Sequence, residues 1–94
     1  NILQKAIKET QEIVVRERLS PESYFKGKTY KQLQDRRYKR GFHIIAMKRK
    51  DKWIYSFKPE FVFQEGDLII GLGPKETLEQ WRRCVHPEIF QGEN

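Results

Sequence analysis

The sequence predicts a small single domain of the α+β class, with the element order β-α-β-β-β-α, a mostly antiparallel sheet and two packed helices. Its 94 residues suit one domain with one small core. Aromatic residues make up 13% of the chain, too many for a disordered tail. Segments in which apolar residues alternate with period two follow one another around a hairpin in the second half of the chain, and this order favours the α+β class.

The N-terminal part of the chain predicts a helix stub followed by a strand. Leu3, Ala6 and Ile7 have helical spacing, so we expect residues 1–12 to be the end of an upstream helix or a linker. The segment from Glu12 to Leu19 alternates with period two, which predicts a half-buried strand ended by Ser20-Pro21. The domain itself is predicted over residues 13–86, and residues 87–94 are expected to be a C-terminal tail.

A capped helix is predicted next, followed at once by a strand. Thr29 is suited to the N-cap, and Gln32 occupies the reciprocal capping-box position three residues later. Gly41 suits the C′ position, at which the helix would stop. The apolar run from His43 to Lys48 then predicts a central strand.

The second half of the chain predicts a hairpin, a buried strand and a final helix. Lys50-Asp51 fits a tight turn that leads into the alternating segment Trp53–Phe57. Phe61–Phe63 predicts a further short strand, and Leu68–Leu72 predicts a buried one. Pro74 then opens a helix whose inner face carries apolar residues at helical spacing, namely Leu78, Trp81 and Val85, with Pro87 ending it.

The charge of the chain is concentrated in its first half. Residues 1–50 hold 14 Lys/Arg and 5 Asp/Glu, a balance of +9, whereas residues 51–94 hold 5 and 8, a balance of −3. Ten of the basic residues lie within residues 26–50, which contain only one acidic residue, Asp35. This asymmetry indicates either an anionic partner near that segment or a solvated basic face.

Composition excludes several classes of protein. The longest apolar run, Leu68–Leu72, is far shorter than the roughly 18–20 residues that a transmembrane helix needs. A single cysteine, Cys84, excludes a disulfide framework and favours a reducing, cytoplasmic setting. The absence of a start methionine at Asn1 suggests a fragment of a longer protein.

No catalytic or metal-binding pattern emerges from the residues. His43 lies in a predicted strand and His86 at a helix end, and neither has a nearby carboxylate or cysteine partner in sequence. Cys84 is expected to be a small core residue beside Trp81. The acidic residues around Gly66 fit turn chemistry better than acid–base catalysis. We therefore expect a protein that is not an enzyme and that holds no metal.

Nucleic-acid binding through the basic segment 26–50 is the less favoured alternative. Arg40-Gly41-Phe42 resembles the basic-Gly-aromatic opening of an RNA-recognition sheet motif. That motif needs a second stacking aromatic two residues after the first, and here the position holds Ile44.

One family combines these elements. The matching stretches are Gly27-Lys28-Thr29-Tyr30-Lys31-Gln32-Leu33, Ile45-Ala46-Met47-Lys48-Arg49 and Glu65-Gly66-Asp67-Leu68-Ile69-Ile70-Gly71-Leu72-Gly73. Over about residues 13–85 the chain resembles the TrkA-C (RCK_C) domain, and it is most similar to members in which this domain follows a PhoU-like helical domain. The stub would then end such a helix or link to a Rossmann-like RCK_N domain.

The resemblance implies a non-enzymatic cytoplasmic domain that regulates potassium or related cation channels and transporters. The regulated channel or transporter would be embedded in the membrane and would belong to the same chain or to a separate one. Such domains form homodimers and sense a small ligand in the groove between subunits. The ligand is cyclic di-AMP in some members, so that or another nucleotide is the implied effector. The ligand-contact positions correspond to Arg36 or Arg37, His43 and Ile44. The arginine is ambiguous because the chain has one extra residue between Leu33 and Gly41.

A surplus of large apolar side chains also favours a dimer. One small core is not expected to hide all of them: Trp53, Tyr55, Phe57, Phe61, Phe63 and Trp81.

Overall fold

The computed structural model describes residues 12–35 and 41–90 as a two-layer α+β domain. Its strands are β1 (Glu12–Arg18), β2 (His43–Arg49), β3 (Lys52–Ile54) and β4 (Leu68–Pro74), and its helices are α1 (Tyr30–Leu33) and α2 (Leu78–Val85). The strands form one antiparallel sheet in the order β1-β4-β2-β3. The predicted class, element order and antiparallel sheet are confirmed.

The core lies between the sheet and α2. In the register of the sheet, Val15 and Ile44 each pair with Gly71 of the central strand β4. A Cβ atom on Gly71 would lie 3.3 Å from Cζ2 of Trp81, so this glycine lets the indole ring of α2 approach the sheet. The remaining fully buried large side chains complete the core: Phe25, Phe42, Phe63, Leu19, Met47, Ile69 and Val85.

The first helix begins as predicted and ends earlier than predicted. Thr29 is the N-cap, its hydroxyl accepts the Gln32 backbone N–H at 3.1 Å, and the Gln32 side chain accepts the Thr29 N–H at 2.8 Å. This pair satisfies two of the N–H groups that a helix start leaves without partners. The helix ends at Leu33, with Gln34 as its C-cap, rather than extending to Gly41. Residues 36–40 lie outside the described residues.

Two predicted strand segments are wrong in extent. The strand predicted over Trp53–Phe57 ends at Ile54. The strand predicted at Phe61–Phe63 is reduced to a single bridge between Thr29 and Val62. It does not join the main sheet because its backbone groups are bonded to the loop before α1, as in the bond from Gly27 N–H to the Phe63 carbonyl at 2.8 Å.

The chain ends differ in how far the structure describes them. Residues 1–11, predicted to be a helix stub or linker, lie outside the described residues, as do residues 91–94. After α2 the chain forms a 3-10 turn over Pro87–Phe90, within the predicted tail. In the part of the chain that the structure describes, no helix has the length and apolar character that a membrane crossing requires.

Fewer large apolar side chains are exposed than the sequence predicts. Phe63 and Trp81 are fully buried in the core, and Phe57 and Phe61 pack against it. Trp53 and Tyr55 are the two of the six that remain exposed, by 38% and 71%. One small domain therefore hides four of the six rings, and only the pair on and after β3 stays at the surface.

Candidate ligand-binding site

The start of β2 is set by a tight turn. Gly41 has φ +84°, a conformation that side chains with a Cβ rarely adopt, so glycine is favoured there. The next residue, Phe42, is 1% exposed and stacks on Trp81, with ring centroids 5.2 Å apart. Because Phe42 is anchored in the core, the backbone leaves it in a fixed direction and presents His43 at the surface.

His43 and Ile44 occupy the first two positions of β2 and differ in exposure. His43 is exposed and pairs in register with Leu72, whereas Ile44 is half-buried and pairs with Gly71. Ile44 therefore lies on the same face of the sheet as Gly71, above the indole ring of Trp81. The structure thus places an exposed imidazole and a half-buried apolar side chain on consecutive residues at the start of β2.

A small cavity lies beneath this position, between α1 and β2. Its walls include Tyr30, Leu33, Ile44 and Trp81, and its volume is about 30 Å³. This is room for about one water molecule, whereas pockets that enclose drug-sized ligands measure roughly 300–1,000 Å³. The indole N–H of Trp81 is buried there without a hydrogen-bond partner among the described residues. A nucleotide at this site must therefore lie on the surface and cannot enter the domain.

The predicted cationic part of the site is only partly described. Arg36 and Arg37 lie outside the described residues, so the structure brings together His43 and Ile44 but does not test either arginine. Two other cations of the 26–50 segment have structural partners: Lys26 Nζ lies 3.7 Å from Glu65 and Arg49 pairs with Asp67. The charge of the segment is therefore partly used inside the fold.

The ion pair between Arg49 and Asp67 fixes the turn before β4. Asp67 is 2% exposed and accepts hydrogen bonds from Arg49 Nε at 2.9 Å, Arg49 Nη2 at 2.8 Å and the Gln64 backbone N–H at 2.8 Å. The hydrogen bond to Asp67 is the main cause that raises the pKa of Arg49. This charge-assisted fork ties β2 to β4 and holds the strand that carries Gly71 in register with Ile44.

A second buried carboxylate ties α2 to the sheet. Glu17 of β1 is 9% exposed, its Oε1 accepts from Arg82 Nε at 3.0 Å, and its Oε2 lies 2.9 Å from His86 Nε2. His86 Nδ1 is also 3.6 Å from Glu88 in the following turn. Glu17 reaches His86 across 69 residues of sequence, so the residues around His86 did not predict this carboxylate partner.

Sequence reasoning missed the wall of the candidate site. Tyr30, Gln34 and Phe42 line the cavity with the predicted His43 and Ile44. The capping box was the signal for Tyr30, because an N-cap at Thr29 fixes it as the first helical residue. Burial of Phe42 also removes the only aromatic ring of the RNA-recognition-like stretch from the surface.

Comparison with known proteins gives both a sequence family and a fold. The sequence profile of the TrkA-C domain matches residues 14–83. Potassium channel protein 1 of Methanocaldococcus jannaschii is 45% identical over 49 residues, which are 52% of this chain. The match spans 15% of that channel's length.

Solved structures share the fold at low sequence identity. The RCK C domain of the potassium transport protein KtrA, in complex with cyclic di-AMP, has a TM-score of 0.68 at 24% identity, covering 87% of this chain and 93% of that one. An RCK_C domain dimer of S. agalactiae BusR, also in complex with cyclic di-AMP, has a TM-score of 0.66 at 23% identity over 79% and 96%. The GsuK channel bound to NAD has a TM-score of 0.64 at 24% identity over 93% and 17%.

Proposed function

This chain belongs to the TrkA-C domain family, and we propose that it is a dimerising, ligand-sensing regulatory domain of a potassium or related cation channel or transporter. The domain itself catalyses no reaction. It acts at the cytoplasmic side, and its output partner is the membrane-embedded transport protein, in the same or a separate chain.

The geometry at the start of β2 is the observation that carries this proposal. An exposed His43 stands beside a half-buried Ile44, above a cavity of about 30 Å³ that is too small to enclose a ligand. A nucleotide held here has one side against this domain and needs a second surface over the other side. A second copy of the chain, related by two-fold symmetry, supplies such a surface and the same residues again.

A cyclic dinucleotide fits the chemistry of this surface. Its two phosphates require cations or N–H donors, and its two bases require an apolar floor. Ile44 supplies the floor, His43 supplies a polar contact, and Arg36 or Arg37 supplies the cation. A ligand with two equal halves also matches the symmetry of a groove formed by two identical chains.

The comparisons support this class of ligand. Two proteins of the same fold, the KtrA domain and the BusR domain dimer, are in complex with cyclic di-AMP, and the GsuK channel is bound to NAD. The matched channel from M. jannaschii supports potassium as the transported ion.

The mechanism we propose is a shift between dimer geometries. A ligand that touches both copies binds better to the geometry in which both half-sites meet, and so it raises the population of that geometry. The shift is limited by the difference in affinity between the two geometries, which makes ligand contact with both chains essential.

Calorimetric titration of the full chain tests the proposal. Cyclic di-AMP is titrated alongside ATP, NAD and calcium, and we expect heat from a nucleotide. His43→Ala, Arg36→Ala and Arg37→Ala are then compared with the wild type. Loss of one charge-assisted hydrogen bond, about 1.5–3 kcal/mol, lowers the affinity about ten- to a hundredfold.

Tyr24→Ala is the matched control, because Tyr24 is also exposed but lines a different surface depression, with Arg83 and Phe90. Its affinity should equal that of the wild type. Heat from none of the nucleotides, or equal binding by all four variants, would contradict the proposed site while leaving the family assignment intact.

A further inference from the structure

The most exposed aromatic ring of the described residues, Tyr55, lies parallel to a second exposed ring at the edge of the sheet. Trp53 of β3 is 38% exposed and Tyr55, two residues later, is 71% exposed. Their ring centroids are 6.2 Å apart and their planes differ by 14°. The two rings are thus held parallel to each other at the surface.

The pair lies on the face of the sheet that points away from α2. Trp53 pairs with Lys48, Lys48 with Leu68, and Leu68 with Arg18, so these four residues form one row across all four strands. Arg18 lies three residues from Val15, whose side chain packs in the core, and side chains alternate along a strand. The row of Arg18 and Trp53 therefore faces the opposite side from the helix.

Basic side chains surround the two rings. Lys48 Nζ lies 5.7 Å from the centre of the Trp53 ring, close enough for a cation–π contact. Lys50 in the hairpin turn is also exposed, whereas the exposed Lys52 precedes Trp53 in β3 and points to the other face of the sheet. Along the hairpin, from residue 43 to 55, the one acidic residue is Asp51. The rings are therefore set in a positive surface.

We infer that this ring pair and its basic surroundings bind single-stranded nucleic acid, with bases stacked on Trp53 and Tyr55 and phosphates held by Lys48 and Arg18. Parallel exposed rings beside cations are the arrangement that binds single strands, because every base has a face that can stack. The site is separate from His43 and Ile44, and the inference stands independently of the proposed nucleotide sensor.

The same observations disfavour two other occupants. A second copy of the chain would place lysines of one hairpin against those of the other, and like charges at an interface oppose pairing. A membrane surface would be approached by the tip of the hairpin, and that tip carries Lys50 and Asp51 rather than an apolar side chain. An anionic chain with flat bases satisfies both the charge and the rings.

Fluorescence anisotropy with the full chain and a labelled oligothymidylate tests the inference. We expect binding at low salt, and the double variant Trp53→Ala/Tyr55→Ala should bind at least tenfold more weakly. Trp53→Phe/Tyr55→Phe retains the rings and should keep most of the affinity. Because each phosphate contact contributes a slope of about −0.7 in log K against log salt, Lys48→Gln should reduce the magnitude of the slope by about 0.7.

One control variant establishes whether the oligonucleotide depends on these two rings in particular. Tyr24→Ala removes an exposed ring elsewhere and should bind the oligonucleotide as the wild type does. The inference is overturned if no oligonucleotide binds at low salt, if duplex DNA binds more tightly than the single strand, or if the ring-less double variant binds equally well. It is also overturned if that variant turns a dimer into a monomer in sedimentation, since the rings would then be a protein interface.

Discussion

Replacing Asp67 with asparagine should destabilise the domain strongly, because it removes the charge of the most deeply buried carboxylate among the described residues. The carboxylate is 2% exposed and receives three hydrogen bonds of 2.8–2.9 Å, two from Arg49 and one from the backbone of Gln64. Asparagine has the same shape, but its NH₂ group faces the donors of Arg49. One guanidinium bond is therefore lost and the charge on Arg49 is left without its partner.

The magnitude follows from the burial of both partners. Breaking a buried ion pair by removing one partner costs about 3–5 kcal/mol. The Arg49 side chain keeps 31% exposure, so water offsets part of that loss. We expect about 2–3 kcal/mol, which corresponds to a fall in Tm of roughly 10–20 °C for a domain of this size.

Urea unfolding followed by circular dichroism measures the difference. Glu65→Gln is the matched control, because the side chains of Glu65 and its partner Lys26 are 55% and 48% exposed, and a surface pair of this kind contributes about 0–1 kcal/mol. A loss of less than about 0.5 kcal/mol in Asp67→Asn would refute the reasoning. So would equal losses in the two variants.

The pH dependence of this pair has a definite sign. The hydrogen bond from the Arg49 side chain to Asp67 raises the pKa of Arg49. A raised pKa in a basic group means that its stabilisation is fully present below the unfolded-state pKa and is lost only as the pH rises through the folded-state pKa. The difference in unfolding free energy between wild type and Arg49→Met should therefore stay constant from pH 7 to pH 9.

Further predictions concern a glycine of β4, a glycine in the turn before it and the start of α1. Gly73→Ala should be severely destabilising, by about 3 kcal/mol or more, because its Cβ would lie 2.7 Å from the Gly41 carbonyl and from the Phe42 ring. Gly66→Ala meets no atom within 4 Å, so only its φ of +89° opposes the change and the cost is about 1–2 kcal/mol. Thr29→Ala removes the capping hydroxyl and should cost about 1 kcal/mol, whereas Thr29→Ser should be nearly neutral. Thermal unfolding checks all four, and equal Tm values for Gly73→Ala and Gly66→Ala would contradict the close approach.

Local patterns in the sequence predicted the elements whose formation depends on residues close together in the chain. Alternation around Val15 predicted β1, and the capping box at Thr29 predicted the start of α1, because both depend on neighbouring residues. The pair of Arg49 and Asp67 joins residues 18 apart, and Glu17 meets His86 across 69. Such partners depend on how the sheet packs, which spacing alone does not determine.

The same distinction explains the errors. Phe61–Phe63 has the composition of a strand, but tertiary hydrogen bonds to the loop before α1 take its backbone groups. The exposed parallel rings of Trp53 and Tyr55 follow from the sheet edge, whereas sequence reasoning grouped them with rings that are buried. For the candidate site, the positions of His43 and Ile44 came from the family resemblance, and their shared floor on Trp81 came only from the structure.

The stoichiometry of ligand binding tests the central claim most directly, since a groove formed by two chains holds one ligand for each pair. Sedimentation velocity with cyclic di-AMP, read by its ultraviolet absorbance, reports mass and bound ligand together. The account predicts one nucleotide co-sedimenting with each dimer, and a nucleotide concentration about ten- to a hundredfold higher for the same occupancy in His43→Ala. One nucleotide bound to each monomer would contradict it.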